Sequence, residues 1–315
     1  MQVFSRVDEF NIPDRSSVIT SLAIGKFDGI HLGHEKLIEE IVSHRSNGLS
    51  PLVVTFDSPV GDYFTGEHTK VLASNKEKTD RLFAMGVEYV YMMPVNRHTM
   101  AYDPELFVRE VLCAGLHAGV IAAGADISFG DKGAGNMELL KRLSPELGFE
   151  TVQIDKVRYG DEDISSSLIR QAVSSGDMER ARDMLGRPYF IDGKVRHGRQ
   201  LGRTIDMPTV NLIPEEEKLL PPYGVYLSEV MLDERRMYGI TNIGVKPTVS
   251  EEGKVTVETF IYDFSGDVYG ESIRVGLLHF MRPETRFDSV EKLRKQLHDD
   301  KINGAATVRR IMKEL

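Results

Sequence analysis

The sequence predicts an α/β domain built on a parallel sheet, followed by an antiparallel β-barrel with a terminal helix. Three observations carry that expectation. The 315 residues exceed the usual size of one hydrophobic core. The first half alternates short apolar runs with segments of helical period, the pattern of βαβ units. After Gly186 the helical segments nearly vanish, and strand-like runs follow one another between turn residues.

In the first half, SVITSLAIG reads as a buried strand, and GHEKLIEEIVSHR as a helix with Leu37, Ile38, Ile41 and Val42 on one face. Gly48 ends that helix, and PLVVTF is the next strand. NKEKTDRLFAMG then reads as a helix before the strand VEYVYMMPV, and PELFVREVLCAGL as a helix before GVIAAG. Right-handed crossovers put the active face of such a sheet at the carboxyl ends of its strands. Two short helical segments follow, around SSLIRQAV and DMERARDML. The domains are therefore set at residues 1–184 and 185–315. In the second, IDGKVRHG, GVYLSEVML, RMYGITNIG, KVTVETFIYDF and SIRVGLLHF are strand-like, and SVEKLRKQLHDDKINGAATVRRIMKEL closes the chain as one or two helices.

Charge and composition narrow the function classes. The net charge is −9, and residues 1–184 hold 19 Lys/Arg against 28 Asp/Glu, so all the excess acid lies in the first half. A phosphate site there must rely on backbone amides, a few placed cations and a metal rather than a basic field. The same imbalance argues against a nucleic-acid partner. No apolar run approaches the ~20 residues that span a bilayer, so no membrane association is expected. The first residues do not resemble a targeting segment, and the one cysteine, Cys113, sits in an apolar helical pattern. A cytoplasmic protein with a structural thiol is the expectation, and the sequence is silent on self-association.

The first motif is Gly25-Lys26-Phe27-Asp28-Gly29-Ile30-His31-Leu32-Gly33-His34. It follows the first strand and opens the first helix, where unpaired amides and the helix dipole favour an anion. Gly29 and Gly33 allow close approach of a phosphate, and His31 and His34 can stabilise charge as pyrophosphate leaves. Read alone, H-x-G-H is also compatible with a glycine-rich turn carrying two solvated histidines. In Ile164-Ser165-Ser166-Ser167-Leu168-Ile169-Arg170, hydroxyls open a helix and Arg170 follows about one turn on, either a phosphate clamp or an ordinary capped helix. Asp126, in Gly124-Ala125-Asp126-Ile127-Ser128-Phe129-Gly130, follows a strand and is either a pocket residue or a turn aspartate.

In the second half, Gly193-Lys194-Val195-Arg196-His197-Gly198 and Gly202-Arg203 precede Met207-Pro208-Thr209-Val210-Asn211. Thr209 and Asn211 alternate across Val210 and so share one face of an extended segment, where a hydroxyl and an amide carbonyl can hold Mg²⁺. Asn242-Ile243-Gly244-Val245-Lys246-Pro247-Thr248 follows, and then Val257-Glu258-Thr259. In KVTVETFIYDF, alternation puts Val255, Val257 and Thr259 on one face and Thr256, Glu258 and Phe260 on the other.

Taken together, G-x-F-D-G-x-H-x-G-H, G-x-D-x-x-F-G and S-S-x-x-I-R, in that order, resemble the FMN adenylyltransferase half of bifunctional bacterial riboflavin kinase/FAD synthetases. The later fragments, through Arg282-Pro283-Glu284-Thr285-Arg286-Phe287, resemble the riboflavin kinase module of the same family. The resemblance implies a Rossmann-like nucleotidyltransferase domain and a kinase barrel, with ATP, riboflavin and FMN as small-molecule substrates and Mg²⁺ as cofactor. It implies that Gly25, Phe27, Asp28, Gly29, Gly33, Asp126, Ser165, Ser166 and Arg170 bind the ATP of adenylyl transfer, with His31 and His34 catalytic. It further implies that Gly193, Lys194, Gly202 and Arg203 border the kinase ATP, that Thr209 and Asn211 bind its metal, and that Glu258 is the base.

Three positions depart from the family pattern. Thr55-Phe56-Asp57-Ser58-Pro59-Val60 stands where the family has T-F-x-P-H-P, Ile127 stands where it has phenylalanine, and Phe260 where it often has histidine. The missing histidine motivates an alternative reading, an active kinase with a weak or inactive adenylyltransferase half.

Overall fold

The computed structural model describes residues 1–10, 19–196, 208–245 and 255–314, and it separates into two units, Met1–Ser166 and Ser167–Leu315. The first is built on six strands: β1 (Gln2–Phe4), β2 (Thr20–Ile24), β3 (Ser50–Phe56), β4 (Tyr89–Met93), β5 (Ala118–Gly124) and β6 (Glu150–Ile154). Their order is β1-β4-β3-β2-β5-β6, and every pairing is parallel. Parallel strands covered on both faces carry apolar runs rather than alternation, and residues 22–24 of β2 and 52–54 of β3 show it. Leu22, Ile24, Leu52 and Val54 face one layer with Leu112 and Leu140. Ala23 and Val53 face the other, with Leu37, Ile38 and Ile41 of helix α1 (Leu32–Ser43). Gly48, at φ +84°, closes the segment after α1, as the sequence indicated.

Helix α2 (Asn75–Ala84) begins where Ser74 and Glu77 cap each other, the Ser74 hydroxyl accepting from the Glu77 amide and the Glu77 carboxylate from the Ser74 amide. The segment read as an ordinary helix, FVREVLCAGL, forms a π-helix over Phe107–Gly115, with the Leu116 amide donating five residues back to Val111. It still buries Phe107, Val108, Val111 and Leu112 in the core. Helix α3 (Met137–Leu147) leads into β6, and a two-stranded ribbon, β7 (Arg158–Tyr159) with β8 (Glu162–Asp163), follows it. Neither β1 nor β6 was expected. One is three residues long, and the other is an edge strand with exposed Glu150 and Gln153.

The sheet order reverses at β2, with β3 and β4 on one side and β5 and β6 on the other. Ligands of open α/β sheets bind outside the strand carboxyl ends at such a switch point. The loop Gly25–His31, leaving β2, occupies that place.

Helix α4 (Ser166–Ser175) and helix α5 (Met178–Leu185) precede the second sheet. That sheet comprises β9 (Tyr189–Lys194), β10 (Thr209–Leu212), β11 (Gly224–Leu232), β12 (Arg235–Val245), β13 (Val255–Ile261) and β14 (Ser272–Pro283). The order is β10-β13-β12-β11-β14-β9 with every pair antiparallel. Just beyond β9, the Arg196 amide donates to the Asn211 carbonyl at 2.8 Å, so the two edges of the sheet meet and the sheet curls on itself. Its buried face carries a hydroxyl chain, Ser228 to Thr241 at 2.7 Å and Thr241 to Thr259 at 2.9 Å, so each buried hydroxyl is paired. The terminal helix α6 (Val290–Glu314) lies on the opposite face. There the Lys301 carbonyl accepts from the Tyr262 hydroxyl, and Gly304 leaves no room for a Cβ, which would lie 2.5 Å from that hydroxyl.

Candidate functional site

The β2–α1 loop is built from uncommon backbone. Gly29 sits at φ +85°, but Phe27 at φ +49° and the β-branched Ile30 at φ +41° share the left-handed region with it. Side chains in that region are strained, and a β-branched one is an outlier, so the surroundings must hold them there. Both are buried, Phe27 and Ile30 lying in the α1-side core, and the Phe27 ring lies against Gly25, where a Cβ would come within 3.1 Å of it. Glycine is thus required at 29 by its backbone conformation, while a side chain at 25 would press on the Phe27 ring.

Asp28 fastens the loop to two distant segments. Its Oδ1 accepts from the amides of Leu72 at 2.8 Å and Ala73 at 3.2 Å, and its carbonyl accepts from the Ser166 hydroxyl at 2.8 Å. The second sequence motif is thus joined to the first through Ser166. Ser165 is half-buried beside it, and Arg170 stands one turn along α4, within the second unit.

His31 caps α1, its Nδ1 accepting from the His34 amide at 3.4 Å. The two rings stack with centroids 3.7 Å apart, and the His34 ring also meets Phe27 at 4.9 Å. His34 is half-buried as a residue, yet its Nδ1 is closed off and has no hydrogen-bond partner among the described residues. Burial first, then the neighbouring His31 and Lys78, hold its pKa well below the ordinary histidine value. Gly33 keeps the pair close, since a Cβ there would lie 3.2 Å from the His31 ring.

Two features at this end of the sheet carried no motif signal. Lys78, on α2, is only 6% exposed and donates to the Phe56 carbonyl at 3.0 Å. Its one mark in the sequence is a lysine four residues before the buried Leu82. Asp57 stands in the segment that departs from the family pattern, and its Oδ1 accepts from the Val95 amide while its carbonyl accepts from Asn75. Asp126 is exposed and pairs with Lys156 at 3.1 Å, and Lys156 also reaches Asp163 at 3.3 Å.

In the second unit, strand register makes the site. Glu258 on β13 stands opposite Asn211 on β10 and opposite Asn242 on β12, so the three occupy one row across three strands. Thr209, opposite Phe260, shares their face. Thr259 and Val257 turn to the other, fully buried face, as the alternation indicated. Asn211 is buried, while Glu258, Asn242 and Thr209 are half-buried. On the same face Glu284 lies against Gly244, where a Cβ would be 2.5 Å from the carboxylate. Gly193 and Lys194 end β9, three and two residues before the Arg196–Asn211 bond. Gly202 and Arg203 lie outside the described residues, as do His197, Gly198, Lys246, Pro247 and Thr248.

Two family models match the chain, FAD synthetase over residues 14–168 and riboflavin kinase over residues 185–308. The bifunctional riboflavin kinase/FMN adenylyltransferase of Listeria monocytogenes is 34% identical over 288 residues, covering 90% of this chain and 91% of the relative. The protein of the same name from Escherichia coli K12 is 34% identical over 286 residues, with 90% and 91% covered. That of Bacillus subtilis is 33% identical over 289 residues, with 89% and 90% covered. Among solved structures, one named a macrolide-efflux protein from Streptococcus pneumoniae superposes with a TM-score of 0.82 at 29% identity, over 95% of this chain and 97% of that one. The likeness is one of fold, and among the described residues no helix is long and apolar enough to cross a membrane. With identity above 30% over nine-tenths of its length, the chain belongs to the bifunctional riboflavin kinase/FMN adenylyltransferase family.

Proposed function

We propose that residues 1–184 adenylylate FMN and residues 185–315 phosphorylate riboflavin, both from ATP. The observation that carries this is the presence of two separate polar clusters, one in each unit. One is a pair of stacked histidines over a helix N-terminus, and the other a carboxylate facing an amide across a strand pair. Family models match both halves, which supports two activities over a kinase alone.

In adenylyl transfer an oxygen of the FMN phosphate attacks the α-phosphorus of ATP, and the bond from that phosphorus to the β-phosphate oxygen breaks, releasing pyrophosphate. No enzyme nucleophile is needed, so the protein contributes positioning and charge stabilisation. Amides of the Gly25–Gly33 loop and the α1 N-terminus, with His31 and His34, meet the phosphates. Phe27 and Asp28 shape the loop, Ser166 anchors it, and Ser165 and Asp126 border the nucleotide. His34, kept neutral by burial, acts as a hydrogen-bonding group rather than as a fixed cation.

In the kinase half Glu258 accepts the proton of the ribityl 5′-hydroxyl while its oxygen attacks the γ-phosphorus, and ADP leaves. Thr209 and Asn211 present a hydroxyl and an amide carbonyl on one face, an oxygen donor set that suits a hard cation completed by phosphates and water. Mg²⁺ bound there would neutralise phosphate charge. Gly193, Lys194, Gly202 and Arg203 border this ATP. The partners are small molecules, with no nucleic acid, and the working compartment is the cytoplasm.

Incubation with riboflavin, ATP and Mg²⁺, resolved by chromatography, tests the reading. FMN and then FAD are expected, and neither in excess EDTA. FMN without FAD, even from supplied FMN, would remove the adenylyl assignment.

A further inference from the structure

Lys78 is a buried cation that the fold leaves incompletely satisfied. An ammonium has three donors, and its bond to the Phe56 carbonyl is its one hydrogen bond among the described residues. Asp28 and Asp57 attract it, and each has a carboxylate oxygen engaged by backbone amides. Burial outweighs both and brings its pKa down to about 8. Burying a charge with spare donors is costly, and a methionine would fill much the same volume without that cost.

The placement indicates what the charge serves. Phe56 ends β3 beside β2, and the preceding residue, Thr55, donates its hydroxyl to the Lys26 carbonyl at 2.9 Å. The Lys78 ammonium thus sits where β3 meets the histidine loop, and its charge is felt by His34, whose ring also faces His31 and Phe27. This is also the segment lacking the family's histidine, in a half with more acid than base. A site that cannot draw on a basic field needs a few placed cations.

We propose that Lys78 is a catalytic residue of the adenylyl half, its spare ammonium donors binding the ATP phosphates and holding pyrophosphate as it departs. This rests on the adenylyl-transfer reading above. As the bond between the α-phosphorus and the bridging oxygen breaks, negative charge grows on the leaving pyrophosphate. Lys78 donates hydrogen bonds to it and keeps its own proton. A donor aimed at developing charge is worth roughly 10²–10³ in rate.

The experiment compares the full-length parent with Lys78→Met and Lys78→Arg. The parent must first release pyrophosphate from FMN and ATP; if it does not, the adenylyl reading itself fails. Given that turnover, Lys78→Met should lose roughly 10²–10³ in kcat/KM for FAD formation. Inhibition by inorganic pyrophosphate should weaken, riboflavin phosphorylation should continue at the parent rate, and the melting temperature should hold or rise. Lys78→Arg, which keeps the charge, should recover part of the loss. Parent-like FAD formation and pyrophosphate inhibition in Lys78→Met would overturn the proposal. So would a loss of activity accompanied by a lower melting temperature, which would mark Lys78 as structural.

Discussion

The rings of His31 and His34 stack 3.7 Å apart and 21° from parallel, with Nδ1 of the first accepting from the backbone amide of the second. Two imidazoles so placed cannot both carry a proton cheaply, and His34, whose Nδ1 is closed off without a hydrogen-bond partner among the described residues, gives way. His34 should therefore stay neutral well below pH 6.5, observable as a ring that does not titrate in that range by NMR. The sign for stability follows. The unfolded chain takes up a proton near pH 6.5 that the folded ring refuses, so stability falls as pH drops through and below that value. In His34→Gln that contribution to the slope should vanish. An unchanged slope between pH 7.5 and 5.5 would contradict the burial argument.

Replacing both His31 and His34 with alanine should cost FAD formation at least the ~10²–10³ of one charge-stabilising donor. FMN formation from riboflavin should stay near normal, because that chemistry is proposed for Glu258 in the other unit. A parallel fall in a folded double mutant would refute the assignment of the two reactions to separate sites.

Gly33→Ala tests positioning without removing a functional group. The new Cβ would lie 3.2 Å from the His31 ring, closer than most such contacts, so the ring must shift by a few tenths of an ångström. Displacements at a reacting centre cost up to ~10²-fold in rate. FAD formation should drop with little loss of stability, since alanine suits a helix better than glycine. Parent-like kinetics would show that the stacked pair tolerates movement.

Glu258→Gln should reduce riboflavin phosphorylation by roughly 10²–10⁴, the usual worth of a general base. FAD formation from supplied FMN should survive. Glutamine keeps the size and the hydrogen-bonding edge facing Asn211, so a loss reports the missing basicity and not a gap in the sheet. Parent-rate phosphorylation by the folded variant would remove Glu258 from the mechanism.

What could be seen in the sequence was whatever a local pattern encodes. The apolar runs of β2 and β3, the alternation that turns Glu258 away from Thr259, and the helix after His31 are all set by neighbours in the chain. The strands β1 and β6 were missed because three residues, or an edge strand that mixes Glu150, Thr151 and Gln153 with two apolar residues, make no distinctive run. The π-helical turn at Phe107–Gly115 was missed because its apolar face repeats much as an α-helix would. The sites divided along the same line. The histidine loop was legible because glycines and histidines are concentrated there. Lys78 was not, because it joins the site from another helix, and a lysine within NKEKTDRLFAMG looks solvated until the strand beneath it is known.

The hydrogen bond from the Ser166 hydroxyl to the Asp28 carbonyl spans 138 positions of sequence. Loop closure over such a distance is paid for late, after the sheet between the two residues has assembled. During synthesis, a ribosome must therefore deliver nearly the whole first half before the segment around Asp28 meets all its anchors. Nascent chains arrested so that β6 has cleared the exit tunnel while Ser166 is still inside it should already hold β2 through β6, yet capture ATP poorly. Arrest well past α4, with the serine clear of the exit tunnel, should restore that capture, which makes the order of emergence part of how this catalyst comes into being.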